Sequence, residues 1–229
     1  MENDIDVIFF DLFFTLITPQ YNDVRNENDV LGIAKEEWEK YAEDNELYLE
    51  RATGREKNPQ KIIESIVEKM DIKVSESQKK EILELRKERF KTSIIDVDIT
   101  IINVLLDIKK NGKKLCLISN ADIIDVINWK ESPLNDLFDD TIFSYEVGYL
   151  KPQHEIYEIA LKKMNAIPRK CIFVGDGGSD ELKGAKELVM KTIQTGYLLK
   201  KETKEHNLIK KFADYYIEDF KEIINIINS

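Results

Sequence analysis

Asp11 closes an apolar run, Val-Ile-Phe-Phe-Asp, and is the first of several polar groups that recur in chain order at the ends of predicted strands. The others are Ser119 in Cys-Leu-Ile-Ser-Asn, Lys151 in Val-Gly-Tyr-Leu-Lys-Pro, and the acidic pair Asp176 and Asp180 in Val-Gly-Asp-Gly-Gly-Ser-Asp. A carboxylate nucleophile, a hydroxyl donor, a cation and metal-binding carboxylates together make a set suited to phosphoryl transfer. Each residue alone has an ordinary reading. A strand ending in Asp can simply begin a turn, a lysine is usually solvated, and acidic residues are favourable at a helix N-terminus. Weight comes from their order and from their shared place at strand ends.

The elements that must position these groups are legible as apolar runs of strand length at Ile5 to Phe10, Lys114 to Ser119, Thr141 to Ser144, Cys171 to Val174 and Lys191 to Thr195. Helical patterns lie between most of them, and such alternation implies a parallel sheet. Asp98 to Asn111 reads as a helix with Ile101, Ile102, Leu105 and Leu106 on one face, ended by Gly112 in the left-handed position. Pro152 opens a helix carrying Ile156, Tyr157, Ala160, Leu161 and Met164, and Ser179 is placed to cap another with Leu182, Ala185 and Leu188. From Thr18 to about Ile94 the strand pattern stops. Three amphipathic segments replace it, marked by Trp38, Tyr41, Ala42 and Tyr48, by Ile62, Ile63, Ile66, Val67 and Met70, and by Ile82, Leu85, Arg86 and Phe90. Phe212, Tyr215 to Ile217, and Phe220 to Ile227 read as a short strand between helices that closes the core. In open parallel sheets ligands bind outside the carboxyl ends of the strands, where all the polar groups fall.

With 229 residues the chain can bury a substantial core, as one large domain or one domain carrying an insertion. Its 34 Lys and Arg against 44 Asp and Glu leave a net charge of -10, a surface that repels nucleic acid and anionic membrane. A small anionic substrate can still bind where a lysine and a metal ion reverse the local field. The N-terminus is acidic rather than basic, and no apolar run approaches the roughly 18 residues of a spanning helix, so a cytoplasmic protein is expected. Cys116 and Cys171 each sit in an apolar strand and read as buried reduced thiols, which argues against a disulfide scaffold or a zinc site. His154 and His206 read as surface residues, without the Ser/His/Asp arrangement of a nucleophile elbow.

Taken together, the motifs resemble those of the haloacid dehalogenase superfamily, in the subgroup with a helical cap inserted after the first strand. Asp-Leu-Phe-Phe-Thr-Leu at 11 to 16 is similar to the nucleophile motif, Ser119-Asn120 to the second, Lys151-Pro152 to the third, and Gly175-Asp176 through Asp180 to the metal-binding fourth. The resemblance implies an α/β fold: a Rossmann-like, three-layer parallel sheet core over 1–17 and 95–229, with a helical cap over 18–94. It also implies a Mg2+-dependent hydrolase acting on a small phosphorylated metabolite through an aspartyl phosphate on Asp11. The ion would be held by Asp11, Asp176, the main-chain carbonyl of Phe13 and Asp180. Ser119 and Lys151 would bind the transferring phosphoryl oxygens, and Thr15 and Asn120 would orient the loop and substrate.

One position departs from the phosphatase pattern. The second Asp that usually follows the nucleophile by two residues, as acid and base, is here Phe13. A phenyl ring can neither give nor take the proton, and such assistance is typically worth about 10² to 10⁴ in rate. Dehalogenases of the superfamily also lack that Asp, so a 2-haloacid dehalogenase is one alternative, with Arg25 the nearest candidate for its halide cradle. They need no magnesium, whereas this chain keeps both Asp176 and Asp180. A phosphate-ligand binding protein with little turnover is the other alternative.

Overall fold

The structure is a computed structural model and describes residues 5–19, 21 and 25–228. Among these, six strands form one parallel sheet: β1 (Val7–Phe10), β2 (Lys114–Ser119), β3 (Asp140–Phe143), β4 (Cys171–Gly175), β5 (Lys191–Thr195) and β6 (Tyr215–Ile217), in the order β3-β2-β1-β4-β5-β6. The chain leaves β1, builds one flank through β2 and β3, then returns to β1's other side as β4. The strand order therefore reverses beside β1, and β1, β2 and β4 meet at the point where such sheets open a crevice. Register is set by pairs such as Phe10 with Leu117 and Phe10 with Val174.

The continuous apolar runs have a direct cause, since successive side chains point to opposite faces and both faces are covered. Ile8, Phe10, Leu117, Val174 and Ile193 pack on one side, against α6 (Ile99–Lys110) and α12 (Glu222–Ile227). Val7, Phe9, Cys116, Ile118 and Phe173 pack on the other, against α9 (His154–Met164) and α10 (Glu181–Glu187). Burying each such side chain contributes about 1.5–3 kcal/mol. This is a Rossmann-like α/β fold. No helix among the described residues is long and apolar enough to cross a membrane.

Between β1 and α6 lies a helical insertion: α1 (Glu27–Leu31), α2 (Lys35–Ala42), α3 (Asn45–Ala52), α4 (Pro59–Glu68) and α5 (Glu76–Ile95). Its own core gathers Trp38, Ile62, Ile63, Ile66, Val67, Ile82 and Leu83, and takes in Ile124 from the short helix α7 (Ile123–Val126) after β2. Two further short helices complete the chain, α8 (Ser144–Val147) and α11 (Thr203–Ile209).

Several local expectations need correction. The segment from Trp38 to Tyr48 is two helices, because Asp44 breaks it and accepts hydrogen bonds from the Glu46 and Leu47 amides that begin α3. The buried face of α6 is Ile101, Val104, Leu105 and Ile108, while Leu106 is exposed. Ser179 does not cap α10. It takes a left-handed conformation, as does Asp180, and the helix starts at Glu181. Pro152 precedes α9, which begins at His154 with all five expected residues buried. Asp98 does cap α6 through the Thr100 amide, and Gly112 is left-handed.

Candidate active site

Asp11 is the first residue beyond β1, and its amide is held by the Val174 carbonyl of β4 at 2.9 Å. A tight turn follows, in which Leu16 and Ile17 donate back to the Leu12 carbonyl and Phe14 is left-handed. That turn returns Thr15 to the strand end. The Thr15 hydroxyl donates to Asp11 Oδ2 at 3.0 Å and accepts from the Asp176 amide at 3.0 Å, joining the β1 and β4 loops.

Lys151 reaches the same point from the segment after α8. Its ammonium donates to Asp11 Oδ1 and to Glu181 Oε2, the latter at 2.6 Å. Asn120, just past β2, fixes the backbone of this lysine twice: Oδ1 accepts from the Lys151 amide at 2.8 Å, and Nδ2 donates to the Lys151 carbonyl at 3.2 Å. Beside Asp11 stands Asp176, whose Oδ1 accepts from the Gly178 amide at 2.9 Å and whose Oδ2 pairs with Lys201 at 2.8 Å. A Cβ at Gly175 would lie 2.0 Å from Glu181 Oε1, so a side chain there would push this buried carboxylate off its partners.

Oxygens of Asp11, Asp176 and Glu181 lie within 4.8 Å of one another, and all three residues are buried. Burial pushes the Asp11 carboxyl above its ordinary range and the Asp176 charge adds to this, while Lys151 pulls it back. Glu181 is raised well above the usual value by burial and by Asp11, against Lys151. Lys151 itself is held protonated, because Asp11 and Glu181 outweigh its own burial. An all-oxygen, anionic donor set of this kind fits a hard divalent cation better than a softer one.

The expected residues divide in a simple way. Asp11, Thr15, Asn120, Lys151 and Asp176 come together. Ser119 lies at the end of β2, fully buried, and its hydroxyl has no hydrogen-bond partner among the described residues. Phe13 lines the cavity with its ring edge-on to Phe90, 5.8 Å between centroids. Asp180 is not in the acidic cluster. Two successive left-handed residues, Ser179 at φ 53° and Asp180 at φ 51°, carry it outward, where it lines a separate hollow with Lys183 and Ile209. Glu181, the first residue of α10, occupies the inner place instead, with Oε1 accepting from the Gly177 amide at 3.0 Å. Lys201 joins the site without belonging to any of the four motifs. Its only sequence trace is its position beyond the end of β5, one of several strand ends at this rim.

The insertion roofs a cavity of about 780 Å³ above these groups, lined among others by Tyr21, Tyr48, Arg51, Arg86, Arg89 and Phe90. Its arginines tie it to the sheet domain. Arg51 Nε pairs with Asp122 at 2.9 Å and Arg86 Nη2 with Asp125 at 3.2 Å, all four side chains buried or nearly so. The Ser144 hydroxyl donates to the Ala52 carbonyl at 2.6 Å, and a Cβ at Gly54 would meet the Tyr145 carbonyl oxygen at 1.9 Å, so backbone packs directly on backbone there. Arg25, the candidate halide ligand, pairs instead with Glu81 on a half-exposed surface.

A family model described as a haloacid dehalogenase-like hydrolase matches residues 5–188. A glyceraldehyde 3-phosphate phosphatase of Methanocaldococcus jannaschii is 30% identical over 131 residues, covering 56% of this chain and 55% of that protein. A D-ribitol-5-phosphate phosphatase of Bacteroides thetaiotaomicron is 34% identical over 107 residues, 43% of this chain and 50% of that protein. The chain thus spans about half the length of these curated relatives. Among solved structures, an enzyme of Bacteroides thetaiotaomicron in complex with magnesium and inorganic phosphate aligns with a TM-score of 0.64 at 22% identity, over 83% of this chain and 94% of that one. A dehalogenase aligns with a TM-score of 0.68 at 15% identity, over 99% and 98%. At such identities the likeness to these structures is one of fold.

Proposed function

The chain belongs to the haloacid dehalogenase-like hydrolase family, and from that premise we propose that it is a magnesium-dependent phosphohydrolase acting on a small phosphorylated metabolite. The observation that carries this reading is the convergence of the buried Asp11, Asp176 and Glu181 carboxylates on one point, with the Lys151 ammonium bonded to two of them. Mg2+ held there by Asp11, Asp176 and the Phe13 carbonyl would offset the repulsion between a carboxylate and a phosphate dianion. Residues 18–94 act as the cap over the site.

In this reading an Asp11 carboxylate oxygen forms a bond to phosphorus as the bond to the leaving oxygen breaks, giving an aspartyl phosphate that water then hydrolyses. Lys151 moves from neutralising Asp11 to neutralising the phosphoryl oxygens, with Asn120 keeping its backbone in place. The Ser119 hydroxyl, without a partner among the described residues, supplies a hydrogen bond to the same group, and Thr15 holds Asp11 in orientation. Glu181, rather than Asp180, anchors Lys151 and the Gly177 amide. The leaving oxygen finds no proton at Phe13, so good leaving groups, aryl and acyl phosphates, are turned over faster than sugar phosphates. A magnesium-dependent screen of both classes tests this, with equal or faster turnover of simple alkyl esters counting against it. Asp11→Asn is expected to abolish the activity.

Phe13 is also what favours the dehalogenase reading, since halide leaves without a proton. That chemistry predicts chloride release from 2-haloacids without added metal. The position of Arg25, paired on the surface, gives it no support.

A further inference from the structure

We propose that Lys201 is a built-in competitor for the cation of the acidic cluster, so that metal binds only by driving this ammonium off Asp176 and onto Glu205. The proposal rests on the metal-dependent reading above. All six carboxylate oxygens of the cluster have a protein donor: Asp11 has Lys151 and Thr15, Asp176 has the Gly178 amide and Lys201, and Glu181 has the Gly177 amide and Lys151. Each oxygen keeps a second lone pair, so an ion can share an oxygen with a neutral amide or hydroxyl donor, but not with an ammonium pressed against the same oxygen.

Five of the six are fixed. Two are main-chain amides of the loop that shapes the site. The Thr15 hydroxyl is fully buried and is held by a second bond, from the Asp176 amide. The Lys151 ammonium supplies two donors at once and is 2% exposed. Lys201 differs on both counts. It is more exposed than Lys151, and its ammonium already lies 3.3 Å from Glu205, an exposed carboxylate on α11. Release from Asp176 Oδ2 leaves the ammonium with a partner in place, and it requires only a side-chain rotation. Like charges preclude sharing, because a divalent ion on Asp176 Oδ2 would sit within a few ångströms of the ammonium in a buried setting that screens little.

The consequence is a weakened cation affinity and a site that fills only when the free ion is plentiful. Titration calorimetry with Mg2+ alone, on the full chain, measures it directly and without any substrate. Lys201→Gln is expected to tighten the Mg2+ Kd about tenfold by removing the competitor. Glu205→Gln, which removes the waiting partner, is expected to weaken it about threefold. Lys200→Gln makes the same charge change one residue away, on a lysine paired with Glu218 at the surface, and should alter the Kd less than about twofold. Opposite shifts in the first two variants cannot both come from misfolding. An unchanged Kd in Lys201→Gln overturns the proposal and leaves the metal site standing. Equal tightening in Lys201→Gln and Lys200→Gln overturns it too, by assigning the effect to the general field. Absence of Mg2+ binding in the parent and every variant overturns both this proposal and the metal-dependent reading.

Discussion

Phe13 is where the chemistry of single residues is most exposed to test. Its ring sits on the cavity wall against Phe90, two residues beyond Asp11. Phe13→Asp is expected to raise alkyl phosphate turnover by about 10² or more while changing aryl phosphate turnover little, because only the first needs the proton. Steady-state kcat on matched alkyl and aryl esters reads the difference. Glu181 and Asp180 offer a second comparison. Glu181→Gln removes a charge that positions Lys151 and should lower kcat about 10- to 100-fold, whereas Asp180→Asn, on the outer hollow, should leave it within about twofold. The pair also shows what sequence spacing conceals. Nothing in Gly-Gly-Ser-Asp-Glu says that Ser179 and Asp180 are both left-handed, and that geometry alone decides which acid faces inward. Lys201 was hidden for a related reason: its partner Asp176 lies on a different strand's loop, and one lysine among many carries no mark of such a contact.

At the scale of elements, the strands were readable because both faces of the sheet are covered, which forces unbroken apolar runs such as Val7–Phe10 and Cys171–Gly175. The insertion was less so. Its helices could be sensed from Ile62, Ile66 and Ile82, but the break at Asp44 lies inside an amphipathic stretch, and the ion pairs that seat the insertion join residues far apart in sequence. One of those pairs gives the docking a pH dependence. Burial, reinforced by Asp122 and opposed by Arg86, pushes the Asp125 carboxyl up to about 7. The folded protein therefore keeps a proton on Asp125 that the unfolded chain has already released above its ordinary 3.8. Between these values stability falls as pH rises, and the loss is complete once the pH passes about 7. Asp125→Asn removes this part of the slope. Urea unfolding of parent and variant at pH 5 and pH 8 should show the variant losing less stability across the interval. Asp11 and Glu181 push in the same direction in both proteins, so the difference isolates Asp125.

For the molecule as a whole, the buried acids and the net charge of -10 point the same way, toward a cation as the ligand that should shift stability most. Ligands that bind only the folded form stabilise it by mass action. Mg2+ at 100 times its Kd should add about 2.7 kcal/mol, raising Tm by about 5–10 °C for a chain of this size. Inorganic phosphate should add to the shift only when Mg2+ is present, and Asp11→Asn should blunt the effect of both; thermal melts over a ligand series read this out. The short helix after β2 has one more consequence. Ile124 completes the apolar interior of the insertion, and Asp122 and Asp125 receive its arginines, so three residues belonging by connectivity to the sheet domain serve as part of the roof's foundations. A chimera that transplants the roof onto another scaffold must bring 122–125 with it, or the grafted helices arrive with two stranded guanidinium groups and a gap where an isoleucine belongs.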